Sequence, residues 1–213
     1  MSHIFIGIIA PSTILIPIGV ALYNYARMPL TLRYIFFYLV ISACINLVAI
    51  LLSYQSINNL PLLHLLTLFE LFFLLYYFSL LFERKISIAL KYVCWGSLLF
   101  CLANALWWQS IFSFNSYARG LEAIIIILVS LLYFVQVPER QKTSWEIFIV
   151  SGLLLYYAGS FFLYLFSNFL KKGYGLSTLV WNVNAALVII LYILITVGIL
   201  KCNRQMIIST SSS

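Results

Sequence analysis

The sequence contains no aspartate, and charged residues of any kind make up only 8% of its 213 positions. Hydrophobic residues account for 64%. Soluble domains carry about 25% charged residues, so this composition excludes a soluble globular protein. The long unbroken apolar runs also exclude a transmembrane β-barrel, whose strands alternate apolar and polar residues over about ten positions. The chain is predicted to be an all-α, polytopic membrane protein, and the lipid bilayer is its first expected partner.

Recognisable site motifs are also lacking. The four cysteines form no CxxC pair, so we expect no disulfide. The sequence has no GxSxG, HExxH, GxxxxGK[ST] or GxGxxG motif, so it carries none of the usual hydrolase, metalloprotease, phosphate-binding or dinucleotide-binding signatures. Only one histidine lies within an apolar span, and no cysteine shares that span, so we expect no metal site and no cofactor.

What is present is a series of seven apolar spans. They cover about 4–24, 34–54, 60–82, 90–109, 118–137, 147–170 and 178–200, each long enough to cross a bilayer as a helix. Pro11 and Pro17 are expected to bend the first helix. We predict one transmembrane domain over 1–208, followed by a short disordered polar tail over 209–213.

Basic residues are distributed unevenly between alternate loops, which predicts the orientation. One side carries Arg27, Arg33, Arg84, Lys85, Lys91, Arg140, Lys142, Lys201 and Arg204, and the other carries Arg119, Lys171 and Lys172. The positive-inside rule makes the first side cytoplasmic, so the N-terminus is predicted outside and the C-terminus inside. This clustering at helix ends also accounts for the formal charge of +7, so no nucleic-acid partner is expected. The default location is the inner membrane of a bacterium.

The third span is unusual because it contains two ionisable residues. His64, Thr67 and Glu70 lie on an arc of about 120° and descend about 9 Å along one helix. A lone charge in the middle of a membrane helix costs about 2.5 kcal/mol or more, so Glu70 must be protonated, solvated or paired across helices. Glu122 follows Arg119 by three residues, and those two are expected either to pair at the membrane interface or to face a ligand.

Other polar residues fall at the same predicted level, in the outer half of the bundle. They suggest an outward-facing pocket with Glu70 at its floor. Its predicted lining residues are His64, Glu70, Asn46, Asn104, Glu122, Arg119, Trp108, Trp181 and Asn184. The competing interpretation is structural, because Asn and Ser side chains also join membrane helices by hydrogen bonds.

Seven helices in this orientation resemble rhodopsins and receptor-type proteins in topology only. Retinal attachment needs a lysine inside the seventh helix, whereas the first one there is Lys201, at its predicted cytoplasmic edge. The leading functional hypothesis is a sensing or receptor-like module that binds a small molecule from outside and signals through a cytoplasmic or membrane protein partner. The alternatives are a membrane-embedded enzyme that acts on a lipid, using Glu70 or Glu122 with His64, and a small-solute transporter.

Overall fold

The computed structural model describes the backbone of residues 5–138, 142–170 and 174–211, and the side chains of 5–138, 142–164 and 178–206. Within these ranges the chain is helical, without strands, and has seven helices long and apolar enough to span a membrane. We number them α1 (Phe5–Arg27), α2 (Leu30–Tyr54), α3 (Leu60–Ser79), α4 (Arg84–Trp108), α5 (Ser116–Gln136), α6 (Ser144–Leu170) and α7 (Tyr174–Ser211). The predicted all-α, seven-helix class is confirmed.

The helices begin and end where local chemistry requires it. Pro61 occupies the first turn of α3, where its missing N–H costs no hydrogen bond. Pro29 precedes α2 in an extended conformation, and Pro138 follows the extended Val137 at the end of α5. In α1 the regular helix is interrupted between Ser12 and Leu15, next to the two prolines that were expected to bend it. Pro17 has no N–H, and the Thr13 carbonyl accepts from the Ile16 amide instead.

Most helices extend further than the apolar spans indicated. α2 begins at Leu30 and α4 at Arg84, and both first turns contain basic residues. α7 continues to Ser211, so residues 209–211 of the predicted tail are helical, because no Gly or Pro ends the helix there. The remaining two tail residues lie outside the described ranges, and the division into one domain and a tail stays a prediction.

Six of the helices form a ring. α2 packs on α3, α5 on α3 and α6, α6 on α7, and α1 closes the ring by contacting both α7 and α2. α4 packs mainly on α3, outside this ring. Small residues allow α6 and α7 to approach closely: a Cβ added at Gly198 would lie 3.0 Å from the Trp145 backbone oxygen.

One end of the bundle carries the loops 55–59 and 109–115, and we call it the loop end. The second of these, the sunken loop, enters the bundle at Asn115 and positions the candidate site. Asn115 is 1% exposed, and its amide donates to the Thr67 hydroxyl on α3 (3.2 Å). The Asn104 amide in turn donates to the Asn115 side-chain oxygen (3.0 Å). α5 therefore begins inside the bundle, beside the middle of α3.

Candidate functional site

The site is centred on three buried ionisable residues from two helices. Arg119 of α5 forms ion pairs with Glu70 of α3 and with Glu122, one turn further along α5 (3.0 Å). All three side chains are at least nine-tenths buried. We call Glu70, Arg119 and Glu122 the ionic triad. It joins α3 to α5 at membrane depth, where unpaired charges would be costly.

Aromatic side chains complete the surroundings of the triad. The Tyr157 hydroxyl of α6 donates to Glu122 Oε1 (3.0 Å). The Arg119 guanidinium carbon lies 5.6 Å from the centroid of the Tyr164 ring, which is cation–π geometry. The hydroxyls of Tyr156 and Tyr164 are hydrogen-bonded at 2.6 Å. The triad is thus held by α3, α5 and α6 together.

Two features leave the triad chemically incomplete. If all three groups are ionised, two carboxylates face one guanidinium and the net charge is −1. The Nε of Arg119 is also buried, and it has no hydrogen-bond partner within the described part of the chain. A buried donor without an acceptor is costly, so this unpaired N–H adds to the free-energy cost of burying Arg119 here.

A cavity of about 190 Å³ adjoins the triad at the loop end. Every helix except α4 contributes to its lining. The polar and aromatic lining residues are Tyr38, Ser42, Asn46, Glu70, Phe114, Arg119, Tyr156, Tyr164, Trp181, Asn184 and Tyr192. A 150 Å³ cavity holds a benzene molecule, so this one accommodates a small polar molecule or head group.

Five of the nine predicted site residues line this cavity: Asn46, Glu70, Arg119, Trp181 and Asn184. Glu122 lies behind Arg119 and contacts Tyr157 rather than the cavity. Of the three states considered for Glu70, the structure shows pairing across helices. The Arg119–Glu122 pair is also present, but it is buried rather than interfacial.

Three predicted residues lie elsewhere. The His64 Nε2–H donates to the Ser113 carbonyl oxygen (3.3 Å), so this ring holds the sunken loop. Asn104 binds Asn115, as described above. Trp108 is 61% exposed and packs against Phe100 of its own helix. For Asn104 and Trp108 the physical reason is the position of α4, which lies outside the ring and does not line the cavity.

Sequence reasoning missed Tyr38, Tyr157, Tyr192 and Asn115. Tyr157 carried a usable signal, because it precedes Ser160 and Tyr164 by three and seven residues and so shares their helix face. Tyr38 precedes Ser42 and Asn46 by four and eight residues on α2. Asn115 had no periodic signal, because it belongs to a loop.

No protein-family model, curated protein or solved structure matches this chain. The function must therefore be argued from the site alone. Among the described side chains no three His, Cys or carboxylate groups lie close enough together to hold a metal ion.

An apolar layer lies between the triad and the other end of the bundle. One turn beyond Glu70 and Glu122 lie Leu74 and Ile126, and α6 and α7 add Leu153 and Ile195 at the corresponding height. These four side chains are fully buried. The next polar contact beyond them is between Tyr133 and Glu146 (3.1 Å). The apolar layer therefore separates the cavity from the opposite end of the bundle.

Proposed function

We propose that this multi-pass membrane protein is a receptor-like module that binds a small molecule at the ionic triad. The observation that carries the proposal is a cavity with polar lining residues whose wall includes two members of a buried triad of one guanidinium and two carboxyl groups. A purely structural ion pair would need neither the cavity nor the extra carboxylate.

Binding at this position has a direct route to the helix packing. Glu70 and Arg119 join α3 to α5, and Arg119 also contacts Tyr164 of α6. A ligand that competes for either partner changes the balance of contacts between these helices, so it shifts the population of packed states. The change would reach a protein partner at the opposite end, in the orientation that places that end in the cytoplasm of a bacterium.

The apolar layer favours this proposal over transport, because a solute path would have to pass Leu74, Ile126, Leu153 and Ile195. A lipid enzyme using His64 with Glu70 is not favoured by the geometry either. The His64 ring is bound to the Ser113 carbonyl, and the two residues lie about 9 Å apart along the helix axis.

The test is the Glu70→Gln variant. A strain that lacks the gene is complemented with this variant or with the wild-type protein, and the recovery of the deletion phenotype is compared. Gln keeps the size of the side chain and leaves Arg119 paired with Glu122 at 3.0 Å, so we expect a folded protein. The response should nevertheless be lost, because the charge facing the cavity is removed.

Glu146→Gln is the matched control, since Glu146 contacts Tyr133 beyond the apolar layer. This variant should restore the response. A Glu70→Gln protein that folds normally and complements fully would refute the proposed role of the triad.

A further inference from the structure

The polar cavity continues into an apolar groove between α2 and α3. This groove has a volume of about 370 Å³ and shares Asn46, Leu63, Leu66, Phe114 and Trp181 with the cavity. Ala49 of α2 forms part of its wall. Both helices are long and apolar enough to span a membrane, and the groove between them is lined mostly by apolar side chains, so we expect its open side to face lipid. A molecule that enters the cavity can therefore keep an apolar tail in the bilayer.

The charge of the triad selects the head group of such a molecule. With both carboxyl groups ionised, an anionic head would bring a third negative charge to a guanidinium that two carboxylates already share. A cationic head would instead give two positive and two negative charges. Glu70 lines the cavity, so its carboxylate is the accessible member of the pair. Tyr38, Tyr156 and Tyr192 also line the cavity, and aromatic faces favour ammonium groups.

We infer that the ligand is an amphiphile with an ammonium head and an apolar chain. The head binds against Glu70 in the cavity, and the chain lies in the groove between α2 and α3, so the ligand enters sideways from the membrane. This inference rests on the proposed function and specifies its ligand class. The two volumes fit this placement of head and chain. The cavity of about 190 Å³ holds a head group with a few carbons, and the groove holds the remainder of the apolar chain.

A second apolar groove provides an internal control. It lies between α1 and α2, has a volume of about 410 Å³, and includes Ala43 in its lining. It shares only Pro11 and Asn46 with the cavity. Ala49→Trp therefore fills the groove that shares five lining residues with the cavity, and Ala43→Trp adds the same side chain to the groove that shares only two.

The experiment measures binding of radiolabelled dodecylamine to the protein in nanodiscs, with competitors compared at equal mole fraction in the bilayer. Unlabelled dodecylamine should compete at least about tenfold better than dodecanol or dodecanoate, a difference of about 1.4 kcal/mol. Glu70→Gln should remove this preference. Ala49→Trp should weaken dodecylamine binding by about tenfold or more, whereas Ala43→Trp should leave it unchanged.

Propylamine shows whether Ala49→Trp remains folded with an intact cavity. Its short chain needs no groove, so it should raise the thermal stability of Ala49→Trp and of the wild-type protein equally. If dodecanol or dodecanoate competes as well as dodecylamine, the site does not select an ammonium head. If Ala49→Trp binds dodecylamine normally, the chain does not lie in the groove between α2 and α3. If no amine binds, the inferred ligand class is wrong. The proposed function is tested separately, by whether Glu70→Gln complements the deletion phenotype.

Discussion

At the scale of single residues, the central feature is one arginine shared by two carboxylates at membrane depth. Such an arrangement is expensive to bury, and replacing a buried ion network by apolar residues often leaves stability unchanged or higher. Stability alone therefore gives no reason for three ionisable groups to lie together here. A ligand that completes the charge balance does give one.

This argument predicts opposite effects for partial and complete removal of the triad. Arg119→Met leaves Glu70 and Glu122 buried without their cation and should destabilise the protein by about 3–5 kcal/mol. The combined variant Glu70→Leu, Arg119→Met and Glu122→Leu removes every charge and should recover most of that loss. Unfolding in detergent, followed by circular dichroism, measures both.

The combined variant also separates structure from function. It should fold and yet fail to complement the deletion phenotype, because no charge remains to recognise a ligand. Complementation by this variant would show that the triad has only a packing role. An Arg119→Met protein as stable as the wild type would show that the two carboxylates do not depend on the guanidinium.

At the scale of helices, the close packing of α6 on α7 predicts that adding one methyl group lowers stability at some glycine positions and not at others. At Gly198 a new Cβ would lie 2.7 Å from Ile149 Cγ1 and 3.0 Å from the Trp145 backbone oxygen. Since the backbone oxygen cannot move aside cheaply, Gly198→Ala should cost about 1–3 kcal/mol of unfolding free energy.

Gly96→Ala is the matched control, because Gly96 lies in the middle of α4 with nothing within 4 Å of its added Cβ. This variant should be neutral or more stable by up to about 1 kcal/mol, through the higher helix propensity of alanine. Equal losses at the two positions, measured by unfolding in the same detergent, would contradict the close α6–α7 packing.

The number and class of the helices could be predicted because hydropathy reports the apolar part of each span directly. The helix ends could not, since Arg33, Arg84 and Lys85 interrupt the apolar pattern without interrupting the helix. The pairing of Glu70 with Arg119 could not be predicted either. It depends on how deeply α5 begins, and a loop residue, Asn115, fixes that depth through Thr67.

At the scale of the whole molecule, the structure changes the charge count on which the orientation was predicted. Arg119 was assigned to an external loop, but its side chain is buried in the triad and cannot interact with the membrane surface. Lys171 and Lys172, the other two residues assigned to that side, lie outside the described residues. On the opposite side Arg27, Arg84 and Lys85 lie at exposed helix ends. Removing Arg119 from the count strengthens the predicted bias, because the sequence then assigns nine basic residues to one side and two to the other.

Orientation can be tested with single cysteines at opposite ends of the bundle. Ser56→Cys lies in the exposed 55–59 loop, and Glu83→Cys lies in the exposed turn between α3 and α4. With the loop end outside, a membrane-impermeant maleimide should label Ser56→Cys in intact cells and Glu83→Cys only after the membrane is permeabilised. The unmodified chain, which carries Cys44 on an exposed helix face, gives the background. Acidic residues contribute little to orientation, so losing Glu83 does not bias the result. The reverse labelling pattern would place the cavity on the cytoplasmic side, where its ligand would have to come from the inner leaflet.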